Sequence, residues 1–478
     1  VVIVISLVAG LLAYAAFPPI GLWWCAPMSL ALLIYLLSNR RLRQRTIAVI
    51  TFGIAFFGPL LAWSNTYVGD VPWLILTVLQ VVLLVPLALL HVSNTKSLFV
   101  FPFLWVGVEF LRAHFPFHGF GWGRIAFSQA DAPYVQIARI GGAPLLSFIV
   151  AFIAVFIYLA FQQRFALSVL ILASIIAVTF AAVITRPSLS KRDFSFIAVQ
   201  GGVPSLGLDF NSRATQVFEN HIQTTVNYLI SHMSKPQVVL WPENSIDVDP
   251  FKDPIVRDQL QSVVDEFNIP FIVGAVLQHG SNFQNASILW EPKKGPTTIY
   301  IKRHLTPFGE YIPLRPIAEI VSPYAKDVVD FVPGDRIVIH VVGKARFAPV
   351  ICFELLDDAS GRAIAKQSNA FVVQTNSATF GLSPESDQQL GITRIRSIEH
   401  QRYSISISTS GVSALIDPEG KLTHRTGQNQ AAVIDSSIGL INSVSIADRY
   451  GSPIEAILIL FPLFPLTLNW LGRRRVPQ

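Results

Sequence analysis

Apolar residues run almost unbroken through the first 185 or so positions, thin out, and return near the end of the chain. Bounded by polar or turn residues, they form about eight runs of the length a helix needs to cross a bilayer, roughly 20 residues. These runs are 1–16, 21–38, 46–64, 72–91, 97–112, 141–161, 166–185 and 453–471. From about 192 the pattern changes to short β-branched runs separated by amphipathic stretches. Strands are predicted at 194–200, 237–241, 270–277, 285–290, 297–302, 345–352, 369–375, 404–409, 412–416 and 431–435, and helices near 213–233, 253–267, 358–367 and 385–402. The expected fold is a multi-pass α-helical membrane bundle of about eight transmembrane helices plus an α/β domain, layered αββα. The expected division is 1–185 for the first seven transmembrane helices, 186–452 for the α/β domain, and 453–478 for a last transmembrane helix with a basic tail.

Composition agrees with a chain that meets two solvents: 52% of residues are hydrophobic and only 14% charged, against about a quarter charged in soluble proteins. The net charge of +6 does not suggest nucleic acid, because its arginines sit in short clusters beside apolar runs, such as Arg40, Arg41, Arg43 and Arg45. Such clusters mark the cytoplasmic side of a membrane. If the first run leads outward, these arginines, Lys96, Arg164 and the tail Arg473-Arg474-Arg475 all fall inside, and the connections 17–20 and 64–71 outside carry no Lys or Arg. The segment 186–452 then lies outside the cytoplasmic membrane. The opening run lacks a basic leader and a small-residue cleavage site and reads as a retained span. The connection 113–140, with Phe115-Pro116-Phe117, Phe120-Gly121-Trp122-Gly123 and Arg124, falls outside too. It reads either as an interfacial anchor or as a lipid-facing wall of a site.

Three stretches place one reactive side chain each at the end of an apolar strand, where loops gather. Glu243 follows Val238-Val239-Leu240-Trp241-Pro242. Lys302 follows Tyr300-Ile301 and precedes the turn-rich Thr306-Pro307-Phe308-Gly309-Glu310, so that Glu310 is close enough in sequence to pair with it or orient it. Cys352 ends Phe347-Ala348-Pro349-Val350-Ile351 and precedes Phe353-Glu354, with Asp357 and Asp358 opening a predicted helix. Taken singly, each has an ordinary reading: a solvated carboxylate, a surface ammonium, a buried structural thiol. The chain has only two cysteines, Cys25 and Cys352, so no disulfide framework is expected and Cys352 is free to act as a thiol. A helix N-terminus and a nearby Lys are expected to lower its pKa.

In the order Glu, Lys, Cys the three stretches resemble the nitrilase superfamily. Trp241-Pro242-Glu243 and Leu305-Thr306-Pro307-Phe308-Gly309-Glu310-Tyr311 look like its apolipoprotein N-acyltransferase branch, and Arg396-Ser397-Ile398-Glu399, Gly411-Val412-Ser413 and Asp417-Pro418-Glu419-Gly420 are typical of the superfamily. The resemblance covers nearly the whole chain. It implies a nitrilase-like domain in a bacterial inner membrane protein that moves an acyl chain from a phospholipid to Cys352 as a thioester. The acyl chain then passes to the α-amino group of a lipoprotein's diacylglyceryl cysteine. In that scheme Glu243 is the general base, and Lys302 with the backbone N–H of Phe353 stabilises the oxyanion. Glu310 and Glu354 support them. No cofactor or metal is expected, His304, His340 and His400 lacking ligand spacing, and a monomer is expected.

Some positions depart from the branch's pattern. Asn376-Ser377-Ala378-Thr379-Phe380-Gly381 stands where relatives carry Asn-Asp-Ala-Trp-Phe-Gly, and Glu385-Ser386-Asp387-Gln388-Gln389 where Gly-Pro-x-Gln-His is expected. Leu208-Asp209-Phe210 lies where some relatives have a tryptophan. Two other readings stay open: a membrane-tethered amidase that passes the acyl group to water, and a non-catalytic lipid- or lipoprotein-binding membrane protein.

Overall fold

The computed structural model describes residues 1–66, 69–186, 191–203, 205–206, 215–233, 235–321, 323–326 and 328–463. The Leu208-Asp209-Phe210 position, the basic tail and the last part of the final apolar run, from 464 on, lie outside the described residues. The chain divides into two compact units, one of Val1–Ala62, Trp73–Arg186 and Ser445–Gln478, the other of Trp63–Pro72 and Pro187–Val444.

The first unit is helical, with a helix in each of the seven apolar runs before position 186: α1 (Val2–Ala15), α2 (Cys25–Leu37), α3 (Leu42–Leu60), α4 (Asp70–Leu84), α5 (Thr95–His114), α6 (Ala138–Phe161) and α7 (Phe165–Ile184). Among the described residues four stretches are long and apolar enough to cross a membrane: Asp70–Leu89, Thr95–His114, Val135–Phe161 and Phe165–Ile184. Helices α1 and α2 are apolar but only 14 and 13 residues long. At 1.5 Å per residue they rise about 20 Å, short of a hydrocarbon core of about 30 Å. The sequence stops α1 at Pro18-Pro19, which cannot continue a helix. A further helix, Ile446–Leu460, begins ahead of the expected 453, its start set by Ser445, whose side chain accepts from Asp448 N.

The second unit holds two six-stranded sheets. Its strands are β1 (Phe194–Gln200), β2 (Val238–Leu240), β3 (Phe271–His279), β4 (Asn282–Glu291), β5 (Gly295–Ile301), β6 (His340–Val342), β7 (Ala345–Ile351), β8 (Ala370–Thr375), β9 (Ser404–Ser408), β10 (Ala414–Ile416), β11 (Leu422–Arg425) and β12 (Ala432–Ile438). The sheet orders are β12-β1-β2-β3-β4-β5 and β11-β10-β9-β8-β7-β6. Its helices are α8 (Gln216–His232), α9 (Pro254–Phe267), α10 (Arg315–Val321), α11 (Asp358–Ala365) and α12 (Glu385–His400).

The layers follow from strand periodicity. Alternate residues of a strand point to opposite faces, and β1 buries both sets. Phe194, Phe196 and Ala198 enter one core with Phe347, Val372 and Ile405 of the other sheet, while Ile197 and Val199 enter a second core with Phe218 of α8 and Leu260 of α9. On the far side Leu390 of α12 packs with Ala414 and Ile416 of β10. The result is an αββα sandwich, with every predicted strand and helix of this unit present. Three short elements were not predicted, β6, β11 and α10. The two strands are sheet edges, and β11 is mostly exposed, so neither shows the two-sided apolar signal of a central strand.

Candidate active site

Glu243 lies just past the C-terminal end of β2, Lys302 directly after β5, and Cys352 directly after β7. The structure brings the three together. Lys302 Nζ stands 3.6 Å from Glu243 Oε1 and 2.8 Å from Glu310 Oε2, with Lys302 only 1% exposed. One amide spans both carboxylates: Asn285 Nδ2, on β4, donates to Glu243 Oε1 at 2.7 Å and to Glu310 Oε1 at 2.9 Å. Thr306 N donates to Glu310 Oε2 at 2.8 Å, closing the loop between Lys302 and Glu310. Gly274 on β3 admits the Glu243 turn, since a Cβ there would lie 2.2 Å from the Pro242 carbonyl oxygen and 2.8 Å from Glu243 Cα.

Cys352 sits in the left-handed region at φ 50° and opens a single 3-10 turn, Cys352–Leu356. A residue with a Cβ adopts that conformation at a cost of order 1–2 kcal/mol, and the surroundings hold it there. Glu354, two residues on, accepts from Ile351 N at 2.9 Å, Arg303 N at 2.8 Å and Tyr300 OH at 2.6 Å, so one buried carboxyl ties the strand that ends at Cys352 to the loop of Lys302. Arg396 of α12 fixes the turn from the other side. Its Nε donates to the Leu355 carbonyl at 2.7 Å, and its two terminal nitrogens pair with Asp358 and Glu399, both at 2.6 Å. Phe353 is buried, its ring 5.6 Å from that of His304.

The electrostatics divide the carboxylates. Burial pushes the Glu243 carboxyl up, against the pull of Lys302, to about 7. Burial acts on Glu310 in the same direction, but Lys302 outweighs it and holds Glu310 below the ordinary value. Lys302 itself is raised: burial disfavours its charge, and Glu310 and Glu243 more than restore it. The site thus has a fixed ion pair and a second carboxyl that ionises near neutrality.

The thiol differs from expectation. Burial, then Glu243, with smaller contributions from Glu385 and Glu310, raise Cys352 well above the ordinary thiol value, and Lys302 only partly opposes them. Two first-turn donors of α11, Ala359 N and Ser360 N, are taken up by its N-cap Asp357 at 2.9 and 3.0 Å. A thiol in such surroundings needs a base to ionise it.

Three neighbours escaped the sequence reading as parts of the site: Asn285, Glu385 and Gln389. Gln389 Nε2 stands 3.5 Å from Cys352 Sγ, and Glu385, 2% exposed, raises the thiol's pKa by its charge. Asn285 stands among other amides, Asn282 and Gln284, in the first half of β4 and carried no signal of its own. The other two had none beyond their departure from the branch's pattern. Of the histidines, His340 is buried between Ser287 Oγ and Thr298 Oγ1 at 3.1 and 2.7 Å, and His304 Nδ1 stands 3.3 Å from Asp357 Oδ2. Among the described residues no group of three or more His, Cys, Asp or Glu is placed to hold a metal ion.

A sandwich of two mixed sheets with a Glu, Lys and Cys gathered from three strand ends defines the class: a thiol-bearing carbon-nitrogen hydrolase domain, here in one chain with apolar helices. Residues 212–445 match the carbon-nitrogen hydrolase family model, and residues 9–156 match that of the apolipoprotein N-acyltransferase N-terminal domain. The apolipoprotein N-acyltransferase of Mycolicibacterium smegmatis is 32% identical over 94% of this chain and 82% of its own length, and that of Geobacter metallireducens 25% identical over 93% and 91%. An amidase from Nesterenkonia sp. aligns over 56% of this chain and 98% of its own, at 12% identity and a TM-score of 0.42. The chain belongs to the apolipoprotein N-acyltransferase family. It is a membrane protein and an acyltransferase.

Proposed function

We propose that this protein transfers an acyl chain from a phospholipid, through a thioester on Cys352, to the α-amino group of a lipoprotein's diacylglyceryl cysteine. The observation that carries the residue roles is the pairing of a raised thiol with a carboxyl that ionises near pH 7. Glu243 takes the proton from Sγ, and the sulfur attacks the ester carbonyl. Lys302 Nζ, with the backbone N–H of Phe353, stabilises the oxyanion. Collapse expels the lysophospholipid, which leaves with the proton from Glu243. The amine then attacks the thioester, Glu243 takes a proton from nitrogen, and the departing thiolate recovers it as the amide forms. Glu310 holds Lys302 charged and in place, and Glu354 positions the nucleophile's turn.

The proposed setting is the bacterial inner membrane, with the α/β domain on the outer side. The short basic connections at 39–45, Lys96 and Arg164 support that orientation. Both substrates are lipids, and drawing an acyl chain out of a bilayer costs about 0.8 kcal/mol per CH₂, which favours a site held at the membrane.

The test is mass spectrometry of purified full-length protein supplied with phospholipid alone. An acyl adduct should accumulate on Cys352, be absent in Cys352→Ser, and be discharged by a diacylglyceryl peptide with a free α-amine but not by its N-acetylated form. An adduct lost equally fast in buffer without peptide would make water the acceptor and the protein an amidase.

A further inference from the structure

We propose that Gln374 is a positioning residue: its amide, carried on the strand beside the one that ends at Cys352, holds the Trp241 carbonyl and thereby sets where Glu243 stands relative to the sulfur. The inference rests on the reading of Glu243 as the base of both half-reactions, and adds to it the group that aims that carboxyl across the sandwich.

The register places Gln374. Strands β7 and β8 run parallel with Phe347 opposite Ala370, Pro349 opposite Val372 and Ile351 opposite Gln374, so Gln374 lies level with the residue just before the nucleophile. Alternate residues of a strand share a face, and Phe347, Ala370 and Val372 enter the core between the two sheets. Gln374, fully buried, continues that row, and its partner on β9 is Ile407 of the same core. Reaching across, its Nε2 donates to the Trp241 carbonyl at 2.8 Å. The donor end is fixed, because the reversed amide would set two oxygens against each other.

The Glu243 turn is otherwise tied to its own sheet. Trp241 N donates to Ile272 O at 2.8 Å, Ile246 N to Gly274 O at 2.9 Å, and Ser245 Oγ to Gly274 O at 2.9 Å, all on β3. Glu243 Oε1 meets Asn285 of β4 and Lys302 just beyond β5. These bonds place the carboxyl within the sheet that carries β2 to β5. Cys352 ends a strand of the other sheet, and the Gln374 amide joins the two at the level of the site.

A polar side chain in that row has a cost. Gln374 Oε1 is buried and meets no donor among the described residues, and buried polar atoms are normally paired. A Leu or Met there would pack without that loss, so what the amide adds is its bond to Trp241. The bond lands on the carbonyl joined to Pro242, whose φ is fixed by its ring, so the placement passes stiffly to Glu243. Moving a catalytic group by about 1 Å can cost about 100-fold in rate.

The experiment compares, in the full-length protein, Gln374→Met, which keeps the length and loses the donor, with Gln374→Glu. In Gln374→Met, acyl loading from phospholipid and discharge by a diacylglyceryl peptide should both slow, on the order of 10- to 100-fold, with both KM values within about twofold of wild type. The melting point should change little, since an unpaired Trp241 carbonyl takes the place of the unpaired Gln374 Oε1. A carboxyl buried at this position is held protonated and can donate in place of the amide, so Gln374→Glu should regain most of the lost rate, measured against wild type at the same pH below 7. With Glu243→Gln already in place, Gln374→Met should slow loading no further, because a residue that acts through Glu243 has nothing left to aim. Wild-type rates in Gln374→Met would overturn the proposal, as would the same slowing in the Glu243→Gln background, which marks a structural role. Should Gln374→Met not fold, Gln374→Glu carries the test: rates that approach wild type as the pH falls support the bond, and rates that stay low at every pH overturn it. If Glu243→Gln alone loads at the wild-type rate, the base assignment itself fails, and that failure is seen with Gln374 untouched.

Discussion

Replacing Glu243 with Gln separates what this side chain does for the chemistry from what its charge costs the fold. The amide keeps the shape, its carbonyl can still accept from Asn285 Nδ2, and Lys302 keeps Glu310 at 2.8 Å. Only a buried charge disappears. Burial raises this carboxyl from 4.5 to about 7, with Lys302 pulling the other way. A group whose folded pKa lies above its unfolded one opposes folding once the pH exceeds the unfolded value. The penalty is therefore absent below pH 4.5, grows between 4.5 and about 7, and stays constant above that. At 1.36 kcal/mol per unit it reaches about 3 kcal/mol, from which desolvation of the Gln amide subtracts, leaving about 1–3 kcal/mol. For a domain of this size each kcal/mol moves the melting point by about 2–4 °C. Detergent-solubilised Glu243→Gln should accordingly melt several degrees above wild type at pH 8 and close to it near pH 4.5. Acyl loading from phospholipid should meanwhile fall by about 10²–10⁴. A stability difference that does not change with pH would refute the electrostatic account. Loading at the wild-type rate would refute the role of Glu243 as base.

Lys302→Arg should reduce loading nearly as much as Lys302→Ala, at least about 100-fold, because a planar guanidinium does not fit a space shaped by Glu243, Glu310 and Thr306 around a compact ammonium; near-normal turnover would make Lys302 a peripheral charge. Gly274→Ala should cost about 1–3 kcal/mol in thermal or denaturant unfolding and slow loading, since its methyl group drives the Pro242-Glu243 turn out of position. Cys352→Gly should be more stable than Cys352→Ala by about 1 kcal/mol, as glycine alone occupies φ 50° freely; equal melting points would show that the turn stores no strain.

Much of this site could be read from the sequence because it is built from strand ends. Val238-Val239-Leu240, Tyr300-Ile301 and Val350-Ile351 are apolar runs that stop at one reactive residue, and the same runs specify the sheets. Glu243, Lys302 and Cys352 therefore inherit their positions from the part of the fold that is easiest to recognise. Asn285 and Glu385 do not. Asn285 acts from the interior of a hairpin partner strand, and Glu385 from the first turn of a helix where a carboxylate is ordinary. Their importance comes from partners far away in sequence: Glu243 and Glu310 for Asn285, Cys352 for Glu385. The direction of the Cys352 shift was hidden for the same reason: the sequence shows one Lys nearby, and only the three-dimensional arrangement shows three carboxyls around it.

That arrangement has a consequence for the lifetime of the protein. Oxidants and alkylating agents attack the thiolate, and the thiol is far less reactive. Burial first, and then Glu243, Glu385 and Glu310, hold Cys352 protonated at rest and keep the sulfur chemically quiet; in the proposed mechanism it ionises only when a bound ester gives it something to attack. The only other cysteine, Cys25, is buried in the other structural unit. A sulfur that ionises only on demand can serve turn after turn where a permanently activated one would be lost to sulfenic acid, and the slower resting chemistry is what keeps the enzyme in service.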